Sequence, residues 1–287
     1  MAIVLSSPKY SFVQLFEQYN DSCGAFEQFA LPVYDLKDLE FQMTALVDGT
    51  DKTTFLAAHV NAGITIDCVT PGILVQNWIG TWTQTETGAG VAPDTWVGNF
   101  KWNTNTLFTG LSIGQCFNIV FYKQSDGLPV TDCTYTTFQK IQADCFTSVI
   151  EYRNNSNAFY FDYSSSLFFN RVRLPFYLHS PTFDEERQDY KKSDGSTKQL
   201  MFRIWKDYKV KTDYFLQDWL EKFQVATTHD GIYITDTYNN FDTKRVLRID
   251  KIDFSWIEDE KPFVNIAQAK TTFRIAEAVQ NVSSNCS

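Results

Sequence analysis

Ala267, Ala269, Thr271, Phe273 and Ile275 alternate with Gln268, Lys270, Thr272 and Arg274. A helix would scatter that period-two pattern around its circumference, whereas a strand collects it on one face, because successive side chains point to opposite sides of a sheet. The pattern recurs along the chain. Ile64, Ile66 and Cys68 alternate with Thr65 and Asp67, and Val172, Leu174 and Phe176 alternate with Arg171 and Arg173. Leu247 and Ile249 share one parity, while Ile252, Phe254 and Trp256 take the other. That phase slip predicts a β-bulge or a turn near Asp250 and Lys251. The run Cys116 to Tyr122 is apolar apart from Asn118 and reads as a strand buried on both faces.

One segment breaks the pattern. Phe215, Leu216, Trp219, Leu220 and Phe223 form one stripe, with Gln217, Asp218, Glu221 and Lys222 opposite. The spacing predicts a helix near 213–224, capped by Thr212 or Asp213 and packed on a sheet. A weaker helical pattern runs from Phe12 to Tyr19. Turn dipeptides fall at Asp48-Gly49, Pro71-Gly72, Asp126-Gly127, Asp194-Gly195 and Asp230-Gly231. Thr83 to Asp94 reads as a long loop, and Asn154 to Asn157 as a polar break.

The expected fold is therefore mainly β. A length of 287 residues suits one large or two ordinary domains. The expected division is an N-terminal β-sandwich over 1–155 and a second β-rich, α+β domain with one packed helix over 156–287. Hydrophobic residues make up 44% of the chain, enough to build a core.

The net charge of -9 repels nucleic acid and anionic membrane, so neither is expected as a partner. No apolar run approaches the roughly 20 residues that span a bilayer, and Ala2 to Leu5 is too short for a signal-peptide core. These features point to the cytoplasm. The six cysteines, at 23, 68, 116, 133, 145 and 286, show no C-x-x-C spacing and are expected to be free thiols, mostly buried.

Sequence motifs for chemistry are sparse. Gly110-Leu111-Ser112-Ile113-Gly114 has the G-x-S-x-G form of a nucleophile elbow, but that turn joins a strand to a helix and here a strand is expected to follow. A glycine-bounded hairpin or loop fits better; a serine hydrolase using Ser112 is the enzymatic alternative. His59, His179 and His229 have no partners at metal-ligand spacing, and Gly88 and Gly90 lack the Lys and Ser/Thr of a phosphate loop. No catalytic residue, metal or cofactor is expected. Asp184, Glu185 and Glu186, followed by Arg187, read as a solvated turn rather than a catalytic carboxylate pair.

Trp78, Trp82, Trp96 and Trp102 crowd one region beside Asn77, Thr81, Thr83, Thr95 and Asn103. Core, protein interface and glycan-stacking surface are all open readings of that cluster. Arg171 and Arg173, on the polar face of their strand, are candidates to meet carboxylates of a neighbouring chain.

The second half carries a further pattern. Arg171 to Leu178 leads to Pro181, Phe183, Glu186 and Tyr190, then Lys192 to Gly195, Lys209 to Tyr214, Trp219 to Lys222 and His229 to Tyr233, ending near Asn285 and Cys286. With Cys116-Phe117, Cys145-Phe146 and Tyr152 to Asn154 in the first half, it resembles a family of virion tail and baseplate proteins of tailed bacteriophages. The resemblance implies a β-rich structural block of a tail, baseplate or neck ring, assembled in the host cytoplasm into the virion. It implies as partners other copies of the chain in a symmetric ring and neighbouring tail proteins, and no enzyme activity. A carbohydrate-binding β-sandwich for host recognition is the alternative.

Overall fold

The computed structural model describes residues 3–15, 30–48, 60–65, 78–88, 92–102, 110–123, 133–142, 146–164, 168–178, 181–236, 245–258, 266–275 and 280–283. The first half contributes β1 (Ile3–Ser6), β2 (Leu31–Val33), a 3-10 turn (Leu36–Asp38), β3 (Glu40–Val47), β4 (Val60–Thr65), β5 (Trp78–Glu86), β6 (Asp94–Trp102), β7 (Cys116–Lys123), β8 (Phe138–Lys140) and β9 (Ser148–Arg153). The second half adds β10 (Asn170–Leu174), β11 (Thr182–Lys191), β12 (Thr197–Lys211), β13 (Phe215–Leu216), helix α1 (Gln217–Thr227), β14 (Gly231–Asp236), β15 (Arg245–Glu258), β16 (Ile266–Ile275) and β17 (Gln280–Ser283).

The chain is mainly β with one helix among the described residues. One sheet runs in the order β11-β12-β16-β15-β14-β9-β10-β3-β6-β5, with β1 on β3, β13 on β16 and β17 on β12. A second sheet has the order β2-β8-β7-β4. Among the described residues every strand pairing is antiparallel except β2 with β8. The boundary expected at 155 falls between β9 and β10, which pair with each other, and β9 pairs on its other side with β14.

The two sheets of the first half are joined by aromatic rings. Phe121 of β7 meets Phe100 of β6 edge-on at 5.3 Å and Phe41 of β3 at 6.3 Å, and all three are buried. This is the facing-sheet core of a β-sandwich. Phe117, Ile119 and Phe121, on one face of β7, are buried; on the other face Val120 is buried, Asn118 half-buried and Cys116, at the start, exposed, so burial on both faces holds only toward the end of the strand.

The alternation in β16 meets its expectation, with Ala269, Thr271 and Phe273 buried and Lys270 exposed. The phase slip also resolves as a bulge. Ile249 faces Ile275 and Lys251 faces Arg274, so Asp250 is the extra residue.

Four expectations change. The helix runs over Gln217–Thr227 instead of 213–224. Phe215 and Leu216 are taken by β16 as β13, and no side chain caps the helix at Leu216. Thr212 is held elsewhere: its hydroxyl accepts from Ala269 N at 2.9 Å, and its N–H donates to Ala269 O at 3.0 Å. The stripe still reaches the core, where Phe223 lies 5.4 Å from Phe176 and 6.5 Å from Phe273. Second, Thr83 to Asp94 is loop only in part, because β5 continues to Glu86 and β6 begins at Asp94; residues 89–91 lie outside the described residues. The β-branched Thr83 and Thr85 suit a strand, and pairing with β6 extends β5 as far as Glu86, short of the glycines. Third, Phe12 to Leu15 is bent rather than helical, and residues 16–19 lie outside the described residues. Fourth, Cys133 is disulfide-bonded, so not all the cysteines are free thiols. Cys116 is free, and Cys23, Cys68, Cys145 and Cys286 lie outside the described residues. Spacing along the chain could not find that bond, since a disulfide depends on spatial approach.

Candidate interaction surface

The two arginines of β10 are turned toward their own chain. Arg173 is 2% exposed. Its Nε and Nη2 donate to Asp38 Oδ2 at 3.0 and 2.5 Å, and its Nη1 donates to Thr147 Oγ1 at 3.0 Å. Asp38 closes the 3-10 turn, in which the Asp35 side chain accepts from backbone and the Asp38 side chain returns to the Asp35 N–H. Arg171 sits opposite Glu151 of β9, with Nε 3.0 Å from Glu151 Oε1. Its Nη1 donates to Lys37 O at 3.0 Å. The alternation assigned Arg173 to a polar face, but the 3-10 turn covers that face.

The tryptophans divide in the same way. Trp82, Trp96 and Trp102 are buried, and the Trp78 side chain lies outside the described residues. Trp82 packs edge-on to Phe100 at 5.5 Å and donates Nε1–H to Val60 O at 3.4 Å. These three rings are therefore core, and they offer no flat face to a sugar or a partner.

Ser112 lies in an exposed turn that runs into β7, so a strand follows it and not the helix of a nucleophile elbow. His229 is buried, 4.7 Å from the ring of Tyr152, 5.1 Å from Phe159 and 5.9 Å from Tyr163. Its Nδ1 lies 2.8 Å from Val225 O, which makes Nδ1 the protonated nitrogen. Burial pushes its pKa down to about 4, so the ring is neutral at pH 7. His59 and His179 lie outside the described residues.

Two consecutive residues beside His229 hold unusual backbone. Phe159 and Tyr160 have φ of 52° and 68°, and Ala158 pairs with Phe161 on either side of them. This two-residue turn normally takes Asn-Gly, because side chains with a Cβ are strained there. It holds the Tyr160 ring 71% exposed, 5.9 Å from Tyr10.

One fully exposed strand was missed by sequence reading. Asp184, Glu185 and Glu186 lie in β11, an extended strand whose ten residues are all exposed, and not in a turn. β11 and β12 form a hairpin closed by Asp194-Gly195, where Gly195 has φ of 86° and Gly195 N donates to Lys192 O at 3.0 Å. At about 3.3 Å per residue the ribbon is roughly 30 Å long. Phe183 and Tyr190 are 59% and 56% exposed. The register shift near Gln188 puts the extra residue, Leu200, on β12, so β11 itself stays regular. At the base, Arg274 of β16 donates to both carboxylate oxygens of Asp207 at 2.8 Å and also to Asp184. That clamp ties three strands and fixes the direction of the ribbon. The outer edge of β11 has no strand partner among the described residues.

Comparison with known protein families and with curated proteins finds no match for the chain.

Proposed function

We propose that the chain is a structural component of a bacteriophage tail, baseplate or neck ring, acting by self-association and by binding neighbouring virion proteins. The observation that carries this reading is the β11–β12 ribbon. Proteins that work alone shorten, cover, bulge or charge their edge strands, because a regular free edge recruits other chains; β11 is charged, but with both signs, so it excludes unmatched strands and admits a complementary one. Here a clamped ribbon offers a regular edge of ten exposed residues together with two exposed aromatic side chains. Such a device serves assembly, where the neighbour completes the sheet. The likeness to tail and baseplate proteins in the residues from Arg171 to Tyr233 supplies the virion setting. The disulfide at Cys133 is compatible with a particle that leaves the reducing cytoplasm.

Sedimentation and negative-stain imaging of the purified chain test the reading. Closed rings or other concentration-dependent assemblies are expected. A monomer at every concentration, with no binding to neighbouring tail proteins, would overturn it.

A further inference from the structure

We infer that β11 pairs antiparallel with β11 of a second copy, about a two-fold axis through Gln188. The inference rests on the self-association reading above and specifies one contact within it. A two-fold antiparallel pair preserves the faces of the sheet, so residues i and j face each other only when their numbers sum to an even value. Centring the axis on Asp184, Glu185, Glu186, Arg187 or Asp189 sets identical charges face to face, which is destabilising. Centring it on Tyr190 engages only residues 188–192.

Centring the axis on Gln188 differs from all of these. It sets Arg187 opposite Asp189, Glu185 opposite Lys191 and Asp184 opposite Lys192, and each pair occurs twice by symmetry. Glu186 faces Tyr190, and Gln188 faces its own copy. No like charges meet over residues 184–192. The edge is available, since all of these residues are exposed and β11 is unpaired on its outer side among the described residues. The side chains of Glu185 and Lys191 make no ion pair or hydrogen bond among the described residues, which leaves both charges for the neighbour. Arg187 already meets Asp189 of its own strand at 2.9 Å, which holds the guanidinium beside the axis. The acidic stretch that would repel an arbitrary partner strand is thereby matched to itself. The contact is isologous, distinct from the head-to-tail contact that closes a ring, and it joins two such assemblies face to face.

Cysteine cross-linking tests the register, in a Cys116→Ser background that removes the exposed native thiol found among the described residues. Opposite Cβ atoms lie about 4.5–5.5 Å apart, whereas diagonal ones lie about 7–8 Å apart. Under mild oxidation Gln188→Cys should link to itself. Arg187→Cys and Asp189→Cys should each stay unlinked alone but link when mixed. Arg187→Asp should shift the assembly to smaller species in sedimentation, and adding Asp189→Arg should restore it, with circular dichroism unchanged throughout. Equal linking of all three cysteine variants, or no rescue by the charge swap, overturns the register. A wild-type chain that associates while Gln188→Cys stays unlinked sinks this contact alone. A wild-type chain that is monomeric at all concentrations sinks both this contact and the self-association reading.

Discussion

Arg173 and Asp38 meet in a hydrogen-bonded ion pair in which two guanidinium nitrogens converge on one carboxylate oxygen, Oδ2, at 3.0 and 2.5 Å. The arginine is 2% exposed, so the pair fastens β10 to the 3-10 turn ahead of β3 from within. Removing one partner of a buried pair leaves an uncompensated charge and costs about 3–5 kcal/mol. Asp38→Ala should lose stability of that order in urea denaturation. Arg173→Glu should unfold the protein, while Arg171→Gln, which removes a half-exposed ion pair to Glu151 without adding a like charge, should cost about 1 kcal/mol or less. An Asp38→Ala protein as stable as wild type would show that the pair contributes nothing.

Gly98 of β6 lies opposite Trp82 of β5, and the indole lies flat over the glycine. A Cβ there would come within 2.7 Å of Trp82 Cε3. Gly98→Ala should therefore displace the ring and destabilise the sandwich by about 1–3 kcal/mol. Thermal melting and the fluorescence of Trp82 would show both effects, and an unshifted melt would mean that the strands part freely.

His229 makes stability fall in mild acid. Its folded pKa of about 4 lies below the ordinary value of 6.5, so the unfolded chain binds the extra proton between those values. The contribution is fully present above pH 6.5 and disappears as pH falls toward 4, with a total of about 3 kcal/mol. Glu40 acts in the opposite sense, because burial raises its pKa and stability drops as pH rises through its titration. Denaturation midpoints measured from pH 7 to 4 should slope less steeply in His229→Gln than in wild type. Identical slopes would assign the acid sensitivity to other groups.

Trp219 is 6% exposed and meets Phe215 edge-on at 6.1 Å. Trp219→Ala should cost about 3–5 kcal/mol and loosen the helix from β16. Hydrogen exchange along α1 would locate the loss; protection equal to wild type would show that the ring carries little of the packing.

Cys133 and Cys116 should behave differently toward alkylation. In the native, unreduced protein Cys116 should react, while the peptide holding Cys133 should appear cross-linked in mass spectrometry. Recovery of Cys133 as an alkylated thiol without reductant would remove the disulfide.

Much of the fold was legible because alternation is a local property of the chain. The faces of β16 and the bulge at Asp250 follow from parity, the strand β7 from its apolar run, and the core stripe of α1 from its 3.6-residue spacing. Boundaries were less legible. Phe215 and Leu216 suit a helix or a strand equally, and only the nearby edge of β16 chose between them. The candidate surface was least legible, because a run of charges reads the same in a solvated turn and in a solvated strand. The exposed β11 was hidden in Asp184, Glu185 and Glu186 for that reason.

By itself the sequence determined a β-rich chain with one packed helix, since side-chain periodicity and turn residues act over a few neighbours. Tertiary structure alone decided which polar residues see water. Arg173 and Arg171 occupy equivalent positions in one alternation, yet a turn more than 130 residues earlier buries the first and leaves the second half-exposed. It also decided that three tryptophans fill the core and that β11 lies at the end of the sheet among the described residues. Burial is a property of what packs on a face, and the packing partners come from distant parts of the chain.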